Sequence, residues 1–252
     1  LPGRRRQDLA AVTGGLIVPV GHLFDQETPT NTCGLHVHLG PLPDPRRAYA
    51  NLVHFLPLLA LMTANSPFAG GQRVGLSYRM LRSFAVGPLR PDWTYRFQDL
   101  ILSKRLGTLE IRVFDPFWDL ERLRWLLRCC VAVAGLEREL PADLEEYNRL
   151  RVEAAREGYT AALRRLYREL SWLVPVPERL FAEPPALATA ALRQAHGSVG
   201  AYTALDNAYR TGRLAPRPPR LAGVSPARIA LGLAGYYLVK APYALLKARR
   251  EW

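Results

Sequence analysis

The runs Gly34-Leu35-His36-Val37-His38-Leu39-Gly40 and Thr108-Leu109-Glu110-Ile111-Arg112-Val113 set two imidazoles, a carboxylate and a guanidinium at alternate positions. Alternation with period two reads as a half-buried β-strand. Leu35, Val37 and Leu39 then share one face and His36 and His38 the other. In the second run Leu109, Ile111 and Val113 face one way, and Thr108, Glu110 and Arg112 the other. Taken singly, a strand histidine is commonly structural, and an exposed Glu-x-Arg is commonly a weak surface ion pair. Together on one sheet face, these side chains are what a site binding metal and phosphate requires.

The elements that must position them follow from local pattern. Gly14-Gly15 leads into the apolar run Leu16 to Val20, which predicts a strand, and Asp25 to Thr32 is turn-rich. Pro41, Pro43 and Pro45 end the His-x-His strand. Residues 48–64 predict a buried helix carrying Leu52, Phe55, Leu56, Leu59 and Met62, with Pro57 as a kink or first turn. Residues 95–103 and 108–114 predict a hairpin around Arg105-Leu106-Gly107. From Leu120 the period becomes helical, with Leu123, Leu126, Leu127, Cys130, Val131 and Ala134 as the apolar stripe. After a break at Pro141, one long helix is expected over 143–171, and Pro175 to Pro185 forms a linker. A further helix covers 186–210. Strands come early and helices late, so the order predicts an α+β fold: a curved, mainly antiparallel sheet with helices packed on one face.

A chain of 252 residues with 49% hydrophobic and 22% charged content is long enough to bury a large core. Its net charge of +12 is almost all arginine, the only lysines being Lys104, Lys240 and Lys247. The arginines are scattered through helices and no nucleic-acid-binding signature is present, so small anions rather than nucleic acid are the expected partners. Cys33, Cys129 and Cys130 form no CxxC and no even framework, which favours a reducing, cytoplasmic compartment. The apolar run Ile229 to Val239 is shorter than the roughly 20 residues needed to span a bilayer. Docking of that segment on the body is therefore expected over a membrane-surface role.

Several ordered motifs resemble the glutamate–cysteine ligase type 2 family of carboxylate–amine ligases, which have a glutamine-synthetase-like catalytic fold. Gly34-x-His36-Val37-His38-Leu39-Gly40 resembles the family's G-x-H-V-H-V-G strand, and Leu58 to Phe68 is similar to its L-L-A-L-x-A-N-S-P-F segment. Ser77-x-Arg79, then Asp99 and Ser103, Thr108-x-Glu110-x-Arg112-Val113-x-Asp115, and Asn148-Arg149 through Gly158 follow in family order. The resemblance implies ATP and Mg²⁺ as cofactors, carboxylate and amine substrates such as amino acids, and an acyl-phosphate intermediate. It further implies Glu110 and His36 as metal ligands, with His36, His38 and Arg112 contacting the nucleotide. Arg112, Glu110 and Arg79 are the implied catalytic residues, Arg79 clamping a substrate carboxylate, while Asn148, Arg151 and Arg156 pack beneath the site. His22, His54 and His196 read as structural.

Two departures matter. The family's Glu-x-Glu metal-ligand strand has no counterpart before His36, and Glu27 sits in a turn. Ile101 stands where the family places an arginine between Asp99 and Ser103. With no Met at its start, the chain is expected to be part of a longer enzyme, or a half completed by a homo-oligomer or a partner chain. The alternative is a catalytically inactive nucleotide-binding or scaffold paralogue. Residues 1–175 are expected to form the partial catalytic domain, and 176–252 a helical extension packing on it.

Overall fold

A computed structural model describes residues 14–92, 94–215 and 217–219, together with the single positions 227, 230, 231 and 234. Most of the C-terminal apolar segment therefore lies outside the described residues. Among them, no helix is long and apolar enough to cross a membrane.

The architecture is built round a nearly encircled helix, α1 (Pro45–Thr63). Pro45 opens it without wasting a donor, and the Asp44 carboxylate accepts from the Arg47 amide at 3.0 Å. Its apolar residues run all round rather than along one stripe, as expected of a helix with neighbours on every side. Those neighbours include α3 (Leu120–Ala134), α4 (Leu144–Arg156), α5 (Ala161–Leu173) and the short α6 (Arg179–Ala182). The three-stranded antiparallel sheet, in the order β1 (Val37–Leu39), β5 (Thr108–Ile111), β4 (Leu100–Ser103), lays Val37, Leu39, Leu100, Leu109 and Ile111 into the same core. Its other face carries His38 and Glu110. Helix and antiparallel sheet thus combine as an α+β arrangement.

A second hairpin, β2 (Phe68–Ala69) and β3 (Gln72–Arg73), lies between α1 and the five-residue α2 (Tyr78–Arg82). The long α7 (Pro185–Thr211) is kinked at Gly197, where φ is 68°. Its Leu192, Ala201, Ala204 and Leu205 join Val20, Phe24 and Phe68 in a smaller core.

Four local expectations change; one is the linker expected from Pro175 to Pro185, which holds α6 because Leu180 and Phe181 are buried in the core. Leu16 to Val20 forms no strand, because the Ile17 amide bonds the Asp206 carboxylate of α7 at 2.7 Å instead of a ladder partner. The helix expected over 143–171 is two helices. The Ala155 carbonyl accepts from the Leu76 amide at 2.7 Å and the Ser77 amide at 3.3 Å, displacing its helical partner, the Tyr159 amide. Gly158, at φ 84°, then turns the chain out, with Leu76 packed against it too closely for a Cβ. In α3 the buried face is Leu126, Cys129, Cys130, Val133 and Ala134, while Leu127 and Val131 are exposed. Several arcs of this helix satisfy a 3.6-residue period, and the contact with α1 selects the one with small cysteines at its centre.

Candidate functional site

Strand register assembles the site. His38 of β1 and Ile101 of β4 both lie directly across from Glu110 of β5. One oxygen of Glu110, Oε1, collects three basic groups: His36 Nδ1 at 3.0 Å, Arg112 Nε at 3.4 Å and His38 Nε2 at 3.9 Å. None of these contacts uses Oε2. The other ring nitrogen of His38 lies 3.0 Å from Thr108 Oγ1, which orients that imidazole along the strand.

Exposure grades across the group. The side chains of His36 and His38 are 38% and 35% exposed, against 16% for Glu110 and 15% for Arg112. Burial and the Arg112 charge hold the His36 pKa below the usual 6.5, against the opposing pull of Glu110. His36 is therefore neutral at pH 7, the form that ligates metals and accepts hydrogen bonds. Arg112 Nε and Nη1 are buried without a hydrogen-bond acceptor; the Nε contact to Glu110 is ionic only. Such orphaned donors cost about 1–3 kcal/mol each, and an incoming anion would satisfy them.

Beneath this face, Asp99 Oδ2 accepts from Tyr147 Oη at 2.8 Å and from Arg151 Nε. The Asp99 carbonyl accepts the Arg112 amide at 2.7 Å, so the network fixes the backbone that carries Arg112. Arg151 thus packs beneath the site, as the resemblance implied. Asn148 instead bridges the Leu89 backbone in both directions, its side chain donating at 2.9 Å and accepting at 2.8 Å. Tyr147 was not singled out from sequence, though its spacing of four residues from Arg151 on a charged helix is a readable signal.

Arg79 has a different placement from the implied substrate clamp. It is 1% exposed, and its guanidinium donates to the carbonyls of Arg112 and Val113, both at 2.6 Å, and of Phe114 at 3.2 Å. A Cβ on Gly34 would fall 2.3 Å from Arg79 Nη2, so glycine lets the segment leading into β1 lie against the guanidinium. Nearby Asp115 is fully buried and accepts from the Asn65 amide and the Ser66 hydroxyl, both at 2.8 Å. The geometry makes Arg79 a positioning residue, because its hydrogen-bonding fork is aimed at the exit of β5.

The remaining candidates are structural in their contacts. His22 is buried, with its ring nitrogens 3.2 Å from the Asn31 carbonyl and 2.7 Å from that of Gln26. His54 lies 2.8 Å from Glu169, tying α1 to α5. Cys33 is exposed, and no side-chain base is bonded to it among the described residues.

Fit to the implied cofactors can be read from the donors. Among the described residues no group of three ligating side chains holds a metal by itself. Mg²⁺ is commonly held by one or two carboxylates plus phosphate oxygens and water, and Glu110 Oε2, which none of the three basic contacts uses, is an oxygen of that kind. The orphaned Arg112 donors suit a phosphoryl group. Ile101, across the ladder from Glu110, leaves that side of the face apolar.

No family model matches the chain. Among curated proteins, one from Pseudomonas aeruginosa (strain UCBPP-PA14) is 48% identical over 113 residues, covering 42% of this chain and 26% of its own length. Another, from Pseudomonas aeruginosa (strain LESB58), is 34% identical over 113 residues, covering 42% of this chain and 28% of its own. Both bear the name "Putative glutamate--cysteine ligase 2". The chain thus spans about a quarter of the length of the curated relatives it matches. This partial similarity points to a ligase family.

Proposed function

We propose that the chain carries one wall of the site of an ATP- and Mg²⁺-dependent carboxylate–amine ligase, in which a phosphorylated carboxylate is attacked by an amine to give an amide. The observation that carries this reading is the meeting of His36, His38 and Arg112 at a single oxygen of Glu110 on the open face of the sheet. Activating a carboxylate by phosphorylation crowds negative oxygens together, so the protein's task is to position them and neutralise their charge. When bound, Mg²⁺ supplies part of that neutralisation.

Each side chain has a definite task in this scheme. Arg112, with two donors that lack a hydrogen-bond acceptor, would neutralise the phosphoryl oxygens. Glu110 and neutral His36 would hold the metal, and His38, braced by Thr108, lines the same face. Arg79 acts through the backbone, since the three carbonyls it grips belong to Arg112 and the two residues after it. The remaining metal ligands would come from substrate phosphates, water or another polypeptide, which makes a homo-oligomer or partner chain part of the proposal.

The test is phosphate release from ATP and Mg²⁺ with panels of carboxylates and amines. Release that requires both partners and is abolished by Glu110→Gln or Arg112→Ala supports the ligase. A second reading, a non-catalytic nucleotide-binding or scaffold protein, draws on Ile101 beside Glu110, where an apolar side chain removes an anion contact. Nucleotide binding without turnover for any amine, even when a partner chain is supplied, selects that reading.

A further inference from the structure

Folding gathers an aromatic and basic surface that the order of the residues does not show. In the chain between α2 and β4, residues 83–99, the Phe84 and Phe97 rings meet with centroids 5.2 Å apart, and Tyr95 meets Phe97 at 5.5 Å. Arg96 Cζ lies 4.4 Å from the centroid of the Phe97 ring, and Arg90 Cζ lies 5.5 Å from that of Tyr95. We infer that this surface binds single-stranded nucleic acid, its bases stacking on the Phe84 ring and the arginine–aromatic pairs and its phosphates held by the arginines. None of these residues belongs to the Glu110 face, so the inference stands independently of the ligase reading.

Exposure separates these rings from the core. Val86 and Leu89 of the same segment are buried and supply its apolar packing, while Phe84 is 65% exposed and Tyr95 39%. A lone exposed ring is ordinary. Three rings in contact and interleaved with cations give both parts of a single-strand site, π-faces for bases and positive charge for the backbone. Arg82 adds a further exposed cation at the end of α2, two residues before Phe84. Lys104, in the turn between β4 and β5, stands near Asp92 of this surface. Its charge, after the Thr94 hydroxyl and amide, helps to hold the Asp92 carboxyl below the usual carboxylate range. Asp92 is the exposed acid of the segment, and Thr94 occupies it with bonds of 2.7 and 3.2 Å.

The backbone under the rings is pinned. The Asp99 amide donates to the Gly87 carbonyl at 3.0 Å, and the Phe84 amide to the Pro29 carbonyl at 3.2 Å. The Arg90 amide donates to Gln98 Oε1 at 2.6 Å, while the Gln98 side chain donates to the Asp92 carbonyl. Asn148 of α4 ties Leu89 in both directions. A platform already in place loses little entropy on binding. A duplex suits it poorly, because paired bases already stack on one another. An anionic membrane suits it poorly too, because guanidinium groups lie over the rings and carrying them into the acyl region is costly.

Fluorescence anisotropy of the full chain with a labelled oligothymidylate of about 20 nucleotides, and with the matching oligouridylate, tests this without ATP or metal. Binding of either supports the inference, and the tighter of the two identifies the sugar. Affinity should fall steeply between about 50 and 200 mM salt. An abasic oligomer with the same number of phosphates should bind at least about tenfold more weakly, since it keeps the charge and loses the stacking. Phe84→Ala should weaken binding by about fivefold or more and leave the salt dependence unchanged. Arg96→Gln should weaken it and lower the log–log salt slope by about 0.7, the worth of one phosphate contact. Phe84 is largely exposed, so its loss does not threaten the fold. Glu110→Gln should bind like wild type, which separates failure here from failure of the ligase proposal. No binding of either oligomer, equal binding of the abasic one, unchanged affinity in Phe84→Ala, or tighter binding of phosphatidylglycerol vesicles through Phe84 overturns the inference.

Discussion

Replacing Arg79 by Met separates a positioning arginine from a substrate clamp. The guanidinium donates to three carbonyls at 2.6, 2.6 and 3.2 Å and is 1% exposed. Hydrogen bonds from a charged group contribute about 1.5–3 kcal/mol each, but they share one side chain and do not add. Burial also costs the cation enough to lower its pKa, despite the opposing fields of Asp115 and Asp99. Methionine recovers that desolvation and much of the volume, yet leaves three carbonyls bare and removes the positive charge that acts on buried Asp115. The net loss should be about 3–5 kcal/mol, the usual consequence of removing one partner from a buried charged group. Against a total stability of about 5–15 kcal/mol, that is a large fraction. Urea unfolding followed by far-UV circular dichroism measures it. Arg79→Lys should lose less, since it keeps the charge but cannot fork across three carbonyls. If Arg79→Met stays within about 1 kcal/mol of wild type while carboxylate affinity collapses, the positioning argument is refuted and the clamp restored.

Two titration predictions follow from the same geometry. His36, followed by NMR, should titrate below 6.5; Arg112→Gln should raise its pKa and Glu110→Gln lower it further, because the two charges act on it in opposite directions. Its folded pKa lies below the unfolded value, so its contribution to stability is complete above about pH 6.5 and is lost as pH falls toward the folded value. Insensitivity to both substitutions would sink the assigned contacts. At the alkaline end, burial raises the Cys129 thiol to about 12, Cys130 further, and the Tyr147 phenol well above its usual 10. These groups stay neutral in the fold while the unfolded chain ionises from about pH 9. Stability is therefore full below that pH and falls as pH rises, by roughly 1.4 kcal/mol per unit for each titrating group. Urea midpoints at pH 8 and pH 10.5 should show the drop, and Cys129→Ala should reduce it; a flat profile contradicts the burial.

The division of the sheet into two faces was readable in advance because a period of two is a local property. The alternation in 35–39 and 108–113 put His38 and Glu110 on the face opposite Val37, Leu39, Leu109 and Ile111, and the ladder His38 across from Glu110 keeps that division. The hairpin about Arg105-Leu106-Gly107 and the apolar 48–64 helix were legible because a turn and a long apolar run are likewise local signals, although their ends moved by a few residues. The break between α4 and α5 was not, since it depends on amides of Leu76 and Ser77 capturing the Ala155 carbonyl. The failed strand at 16–20 has a like cause, a carboxylate contributed by α7.

The amino-acid sequence alone determined which titratable residue types share a sheet face, because side-chain alternation requires no knowledge of neighbours. Only the tertiary structure decided that three basic groups converge on Glu110 Oε1, that Arg79 points inward to backbone carbonyls, and that Phe84 meets Phe97 across a loop. Those outcomes depend on contacts between segments distant in the chain, where packing against α1 and capture of backbone groups outweigh local preference.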